Sequence, residues 1–434
     1  ELLKQLEGYD LARVAEQTGL GQEQIAEVAR EFATTRPALA MVGEVPAFHT
    51  NGAEAVRAVH LLNLLAGNLN RPGGVYPDAG APDGPEHSFS ELRALTDRMA
   101  NGRIRVALIQ GDPVHAIPPA TGFQQALSRV PFVVSFSTIL DDTALQADLI
   151  LPDHAALESW GDVIPLAGTR TPVVGLMQPV VTPLLDTRPF PDVLLAAAHG
   201  LGGATASALP FASYPEMLKV SMQKRLGRSN GAAFETQWVE LLRQGGLFGT
   251  ANGRAKGYGW VPGSGLPDPG KPRFSGDEQQ FPLHLQVYPS TAFHDGRGAA
   301  LPWLQQLPDP MTTVVWDSWV EINPKTAASL GISQGDLVEV TSPRGAVRLP
   351  VVLYPAIRPD LVAIPLGQGH VAGGRYARGR GVNPLDLVVL PDGGSEALPA
   401  WNATRVRVAR ISERGGLVTA GHPQGSYRSE LIEI

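Results

Sequence analysis

The clearest periodicity in the chain lies between Leu337 and Leu353, where Val338, Val340, Val347, Leu349, Val351 and Leu353 alternate with other residues. A period of two predicts half-buried strands. Between them Ser342-Pro343-Arg344-Gly345 has turn chemistry, with Pro fixing φ and Gly free to take φ > 0. Upstream, Asn323 is placed to cap a short helix from Pro324 to Ser329 that stops at Gly331. Leu361 to Leu366 is a nearly unbroken apolar strand, and it empties into Gly367-Gln368-Gly369-His370 and a glycine-rich run to Gly381. These elements predict a C-terminal six-stranded-type β-barrel over residues 281–410, closed by a loop of hydrogen-bonding groups.

Earlier in the chain the period changes. Leu11, Val14 and Ala15, then Ile25, Val28, Ala29 and Phe32, form helical stripes, and Ala53 to Leu65 predicts a longer helix. Short apolar strands are expected at Ala38–Val42, Ile104–Ile109, Phe132–Phe136 and Ala147–Leu151, with a helix at Gly122–Ser128. Strands alternating with helices predict an α/β fold, a parallel sheet with helices on both faces. Ligands of such sheets sit beyond the carboxyl ends of the strands, which here are Gly43-Glu44, Gly111-Asp112 and Ser135 to Thr138. We therefore expect an α/β dinucleotide-binding-like domain over 1–200, incomplete at its N-terminus, and a loop-rich connector over 201–280 with one helix near Phe234 to Arg243. The barrel follows, and 411–434 is expected to leave it as an extended tail.

Composition narrows the function classes. The 434 residues carry a net charge of −7 with basic residues scattered, which does not suit a nucleic-acid surface. Cysteine is absent, so this chain holds no disulfide, no iron–sulfur cluster and no cysteine nucleophile. The longest weakly polar stretch, Val193 to Phe211, is interrupted by His199, glycines and Pro210, so no membrane span is expected.

Candidate chemistry gathers at the strand ends and in the glycine-rich loop. At Gly111-Asp112-Pro113 a glycine allows close backbone approach and an acid could accept from a ribose or a guanine; residue chemistry alone favours Asp112 as a turn cap. Asp141, Asp142 and Thr143 precede a helix start and suit capping. Glu158 is expected in a salt bridge. Asp153-His154 has no second histidine at ligand spacing, the ten histidines stand singly, and no metal site is expected. Gln368, Gly369, His370, Arg375, Tyr376, Arg378, Arg380 and Asn383 read either as a solvated basic loop or as a ligand loop, and their concentration favours the second. No Ser-His-Asp order, phosphate loop or paired carboxylates stand out, so no catalytic residue is assigned.

The order of elements around the barrel resembles the C-terminal dinucleotide-binding domain of the molybdopterin oxidoreductases, the dimethyl sulfoxide reductase family. Gly67-Asn68-Leu69-Asn70-Arg71-Pro72-Gly73-Gly74 is similar to that family's turn after a long helix, and residues 141–161 are similar to its "ADLVLP…E…G" segment. With Tyr9 to Arg36, collinear pieces cover most of residues 9–410. The resemblance implies a molybdopterin guanine dinucleotide, with the turn at Gly111 and Asp112 lying against it and Asp141 contacting the guanine or ribose. It also implies a loop of Gln368, Gly369, His370, Arg375, Tyr376 and Asn383 folded over the pterin. The family usually has Asn where this chain has Asp112, which would put a carboxylate near a diphosphate. The family's 4Fe–4S cysteine motif and molybdenum ligand lie outside this chain.

Two functions are implied. One is part of the large subunit of a membrane-associated, quinone-linked respiratory complex, an alternative complex III-like quinol oxidoreductase, in which the fold has lost its cofactor and serves as a scaffold. The other is the dinucleotide-binding half of a catalytic molybdenum oxidoreductase of the polysulfide or tetrathionate reductase type. Implied partners are an iron–sulfur ferredoxin-like domain or subunit, a quinone-reactive membrane subunit and cytochrome c subunits. The implied location is the periplasmic or outer face of the cytoplasmic membrane.

Overall fold

The computed structural model describes residues 9–76, 88–165, 173–227, 232–249, 270–391, 399–413 and 415–420. The chain divides into two units: Glu1–Ala47, Asn51–His87 and Asp153–Lys271 make one, and Phe48–Thr50, Ser88–Pro152 and Pro272–Ile434 make the other. In chain order the strands are β1 Val106–Ile109, β2 Phe132–Ser135, β3 Leu149–Ile150, β4 Gly161–Val163, β5 Val173–Met177, β6 Gly246–Phe248, β7 Leu283–Tyr288, β8 Val320–Ile322, β9 Leu337–Thr341, β10 Ala346–Leu353, β11 Leu361–Pro365 and β12 Thr404–Ser412.

In the first unit the two expected helices form at Leu11–Thr18 and Gln22–Thr34. Asp10 caps the first by accepting from Arg13 N at 2.8 Å, and Gly19 ends it in the left-handed region. Helix Gly52–Leu65 carries a buried Asn63 whose amide bonds both the N–H and the C=O of Ala40, at 2.9 and 2.8 Å. That side chain takes the backbone groups a sheet neighbour would have used. Residues 38–42 are therefore not the buried strand expected, and Met41 is 80% exposed. Strands β4, β5 and β6 form an antiparallel sheet, and Val174 and Leu176 pack on Leu218, Met222, Phe234, Trp238 and Leu241. Helix Ala232–Gln244 matches the helix expected near Phe234. Helices Gly203–Ala208 and Tyr214–Arg225 were not expected in that stretch. The glycine, serine and proline content hides the i, i+4 pair Leu218 and Met222, which supplies the buried face. The glycine- and proline-rich run at 263–269 lies outside the described residues.

In the second unit β1, β2 and β3 run parallel in that order. Helix Phe89–Ala100, opened by a capping box between Ser88 and Glu91, and helix Phe123–Leu127 cover one face through Met99, Phe123 and Leu127, with Val130 from the following turn, against Ala107, Ile109 and Val133 of the sheet. Val106 and Leu108 point the other way and are exposed. The barrel is closed, in the order β10-β8-β11-β7-β12-β9. Its interior is the alternating set foreseen from the sequence: Val338, Val340, Leu349 and Val351 meet Leu285, Val320, Ile322, Ile364 and Val406, all essentially without solvent contact. Asn323 caps helix Pro324–Ser329 through Lys325 N. The tail does not leave at 411: β12 runs to Ser412, and Val315 N donates to Val418 O while Ala420 N donates to Thr313 O. Residues 421–434 lie outside the described residues. No helix among the described residues is long and apolar enough to cross a membrane.

Candidate cofactor site and its buried histidine–aspartate cluster

All of the candidate site lies in the second unit, at the carboxyl ends of β1 and β2 and in the loop after β11. Gly111 turns the chain out of β1 with φ 92° into open space. Asp112 follows and accepts through Oδ1 from both Thr143 N and Thr143 Oγ1, at 2.9 and 2.6 Å. The side-chain cap that residue chemistry suggested for the following helix, Pro113–Ala116, is therefore not made, and Asp112 ties two loops together instead. Its Oδ2 is buried without a hydrogen-bond partner. Asp141 caps Ala144 N at 2.7 Å. Burial pushes its carboxyl up, the charges of Asp112 and Asp142 push it further, and hydrogen bonds from Ser137 and Ala144 oppose the rise.

Asp142 holds the glycine-rich loop. Its Oδ1 accepts from Val371 N and Ala372 N at 3.0 and 2.7 Å, and its Oδ2 faces His370 Nδ1 at 3.0 Å. Burial raises this carboxyl, but hydrogen bonds from His115 and His370, the His370 charge and the Ala372 N–H together hold it well below the usual carboxylate range. His115, from the short helix Pro113–Ala116, lies with its ring 3.6 Å from that of His370, nearly parallel at 13°. Asn383 donates from Nδ2 to His115 O at 3.0 Å and accepts Leu385 N on Oδ1 at 3.1 Å.

The rest of the loop turns elsewhere. Gln368 is buried and exchanges amide hydrogen bonds with Gln305 at 2.8 and 3.2 Å. Gly369 has φ 92°, and a Cβ there would stand 2.1 Å from Asn383 N. Arg375 is exposed, its guanidinium over the ring of its neighbour Tyr376, and Arg380 lies over Trp316. Trp316, Phe293 and Trp319 line a shallow cleft with Asp309, Asp317 and Gln368. In the other unit, Glu158 accepts from Ala155 N and Leu184 N, a backbone cap in place of the salt bridge expected.

The fold thus joins Asp112, His370 and Asn383 from the expected set and adds His115 and Asp142. His115 carried no sequence signal of its own. Ligand spacing such as i, i+4 marks pairs on one helix, and His115 and His370 come from different elements.

Residues 17–196 match the model of the molybdopterin oxidoreductase family, and residues 305–390 match the molydopterin dinucleotide binding domain. The menaquinone reductase molybdopterin-binding-like subunit of Nitratidesulfovibrio vulgaris is 30% identical over 412 residues, covering 92% of this chain and 56% of that protein. The arsenate respiratory reductase molybdopterin-containing subunit of Shewanella sp. is 23% identical over 511 residues, covering 91% of this chain and 60% of its own. The chain thus spans a little over half the length of these curated relatives. Acetylene hydratase from Pelobacter acetylenicus has the same fold, with a TM-score of 0.73, 17% identity, 94% of this chain covered and 66% of that one.

The dinucleotide-binding match supports a molybdopterin guanine dinucleotide for domains of this type. The residues at the ends of β1 and β2 do not fit its diphosphate. Asp112 and Asp142 place carboxylate oxygens there, beside His115 and His370, and two exposed arginines of the loop, Arg375 and Arg380, lie over aromatic rings.

Proposed function

We propose, for a chain that belongs to the molybdopterin oxidoreductase family, a place in the large subunit of a quinone-linked respiratory electron-transfer complex of the alternative complex III kind. On this reading the fold is a scaffold. It positions electron carriers held by an iron–sulfur domain or subunit, which exchange electrons with a quinone-reactive membrane subunit and with cytochrome c subunits on the outer face of the membrane. The observation that carries the reading is Asp112. In place of the family's usual Asn, a carboxylate stands at the strand end and is fastened to Thr143 within a histidine–aspartate cluster. The similarity to a subunit named molybdopterin-binding-like supports the same conclusion.

A second reading keeps the cofactor and makes the chain the dinucleotide-binding half of a catalytic molybdenum oxidoreductase. The match over residues 305–390 and the glycine-rich loop favour it. On neither reading does this chain by itself supply the reacting centre. The test is the molybdenum, tungsten and pterin content of the purified complex, by elemental mass spectrometry and fluorescence of the oxidised pterin. Iron without molybdenum, tungsten or pterin is the expected result; molybdenum or tungsten near one per complex would overturn the scaffold reading.

A further inference from the structure

We propose that His115, Asp142 and His370, whose donor atoms lie within 4.8 Å of one another, bind one divalent transition-metal ion, zinc by the chemistry of the donors. Asp112, with Oδ2 3.6 Å from His370 Nδ1, turns in as fourth ligand. The inference rests on the scaffold reading in one respect: a dinucleotide held at the same strand ends would exclude the ion.

The hydrogen-bond pattern of His370 motivates it. Both ring nitrogens face acceptors, Asp142 Oδ2 at 3.0 Å from Nδ1 and Gly296 O at 3.2 Å from Nε2. A neutral imidazole has one N–H and satisfies one of them. With an ion on Nδ1, the proton sits on Nε2 and is donated to the Gly296 carbonyl, the arrangement by which metal-bound histidines are commonly oriented. The same ion answers the orphaned Asp112 Oδ2, which is buried, lacks a hydrogen-bond partner and faces His370 Nδ1 at 3.6 Å. It also neutralises two carboxylates buried side by side.

The spacing agrees. Ligand atoms at tetrahedral zinc, with bonds of about 2.0–2.1 Å, stand about 3.3–3.4 Å apart. Here His370 Nδ1 to Asp142 Oδ2 is 3.0 Å, His115 Nδ1 to Asp142 Oδ2 is 3.5 Å and His370 Nδ1 to Asp112 Oδ2 is 3.6 Å. The latter two are long for hydrogen bonds and ordinary for edges of a coordination tetrahedron. Gly296 makes room: a Cβ there would stand 2.5 Å from the His115 ring and 2.8 Å from His370 Nε2. The two rings are stacked, and parallel imidazoles do not aim their lone pairs at one point. Loading the ion therefore turns one ring out of the stack.

The test is elemental analysis of the full-length protein purified in its native complex, counting zinc, iron and molybdenum together and measuring pterin on the same sample. One zinc per chain is expected in the wild type. His115→Gln and His370→Gln should each retain less than about a tenth of it, with iron unchanged. Asp112→Asn is the gentler variant, because Oδ1 still accepts from Thr143 and only the proposed ligand oxygen becomes an amide. In competition with a chelator it should hold zinc at least about 10-fold more weakly. Wild-type protein that contains no zinc and takes none up from added zinc, or zinc retained by all three variants, overturns the proposal. When molybdenum and pterin are absent too, a zinc-free protein overturns this inference alone. Molybdenum with pterin overturns the scaffold reading, whereas zinc lost from the variants supports the site.

Discussion

The imidazoles of His115 and His370 stack with 3.6 Å between ring centroids, although the sheet strands β2 and β3 and most of the barrel separate them along the chain. Asp142 makes the meeting hold. One of its oxygens fixes the backbone of Val371 and Ala372, and the other faces both rings. The glycine-rich loop is thus tied to the ends of the parallel strands by one carboxylate.

Asp142→Asn should weaken that tie. The amide keeps an acceptor for the two N–H groups but turns a donor toward His370 Nδ1. We expect a loss of about 1–3 kcal/mol in urea unfolding, the penalty of mispaired buried groups. Hydrogen exchange should rise at Val371 and Ala372 before it rises in β7 or β11. Unchanged protection at those two amides would refute the tie.

Gly369 and Gly374 separate steric from conformational need. Both have positive φ, 92° and 75°, but a Cβ on Gly369 would meet the Asn383 backbone while one on Gly374 meets nothing within 4 Å. Gly374→Ala should cost about 1–2 kcal/mol, the left-handed conformation alone. Gly369→Ala should cost clearly more, because backbone on both sides must move. Equal shifts in thermal midpoint for the two variants would contradict this.

Gln305 and Gln368 form a closed amide pair in a fully buried position. Gln305→Leu strands the Gln368 amide, at about 1–3 kcal/mol. The double replacement by Leu removes both polar groups and should be milder than the sum of the singles. A double-mutant cycle by denaturant unfolding measures the difference. Strict additivity would mean that the pair is not coupled.

Glu321 sets a pH dependence. It stands in β8, 6% exposed, and accepts on Oε1 from Tyr288 Oη at 2.7 Å and Trp319 Nε1 at 3.1 Å. Burial raises its carboxyl, and those two hydrogen bonds offset part of the rise. A carboxyl raised in the folded state favours folding when protonated. Its contribution is therefore present below the unfolded value, about 4.3, and is lost as pH rises through the folded one. Glu321→Gln keeps the acceptor and removes the charge. Its melting temperature should exceed that of the wild type at pH 7, and the advantage should shrink toward pH 4. An advantage independent of pH would argue against an ionised Glu321.

The barrel was legible because alternation is local: Val338, Val340, Leu349 and Val351 each declare a buried face through their immediate neighbours. The helix at Pro324–Ser329 and its Asn323 cap were legible for the same reason. Ala38–Val42 misled, since its apolar run is real but its backbone is bonded by Asn63 from a helix, and an apolar run does not say what pairs with its peptide groups. The helix at Tyr214–Arg225 was missed because composition outweighed a stripe of two residues.

At the candidate site the sequence determined which loops carry polar chemistry: Gly111-Asp112 after a strand, Asp141-Asp142 before a turn, and the glycines around His370. Only the tertiary structure decided that Gln368 pairs with Gln305, that Arg375 and Arg380 lie over aromatic rings, and that His115 and His370 share Asp142. The reason is physical. Periodicity and turn chemistry act over a few residues and fix which side of an element is buried, whereas the partner of a buried polar group is chosen when distant elements close, by whichever complementary group the topology brings within hydrogen-bond reach.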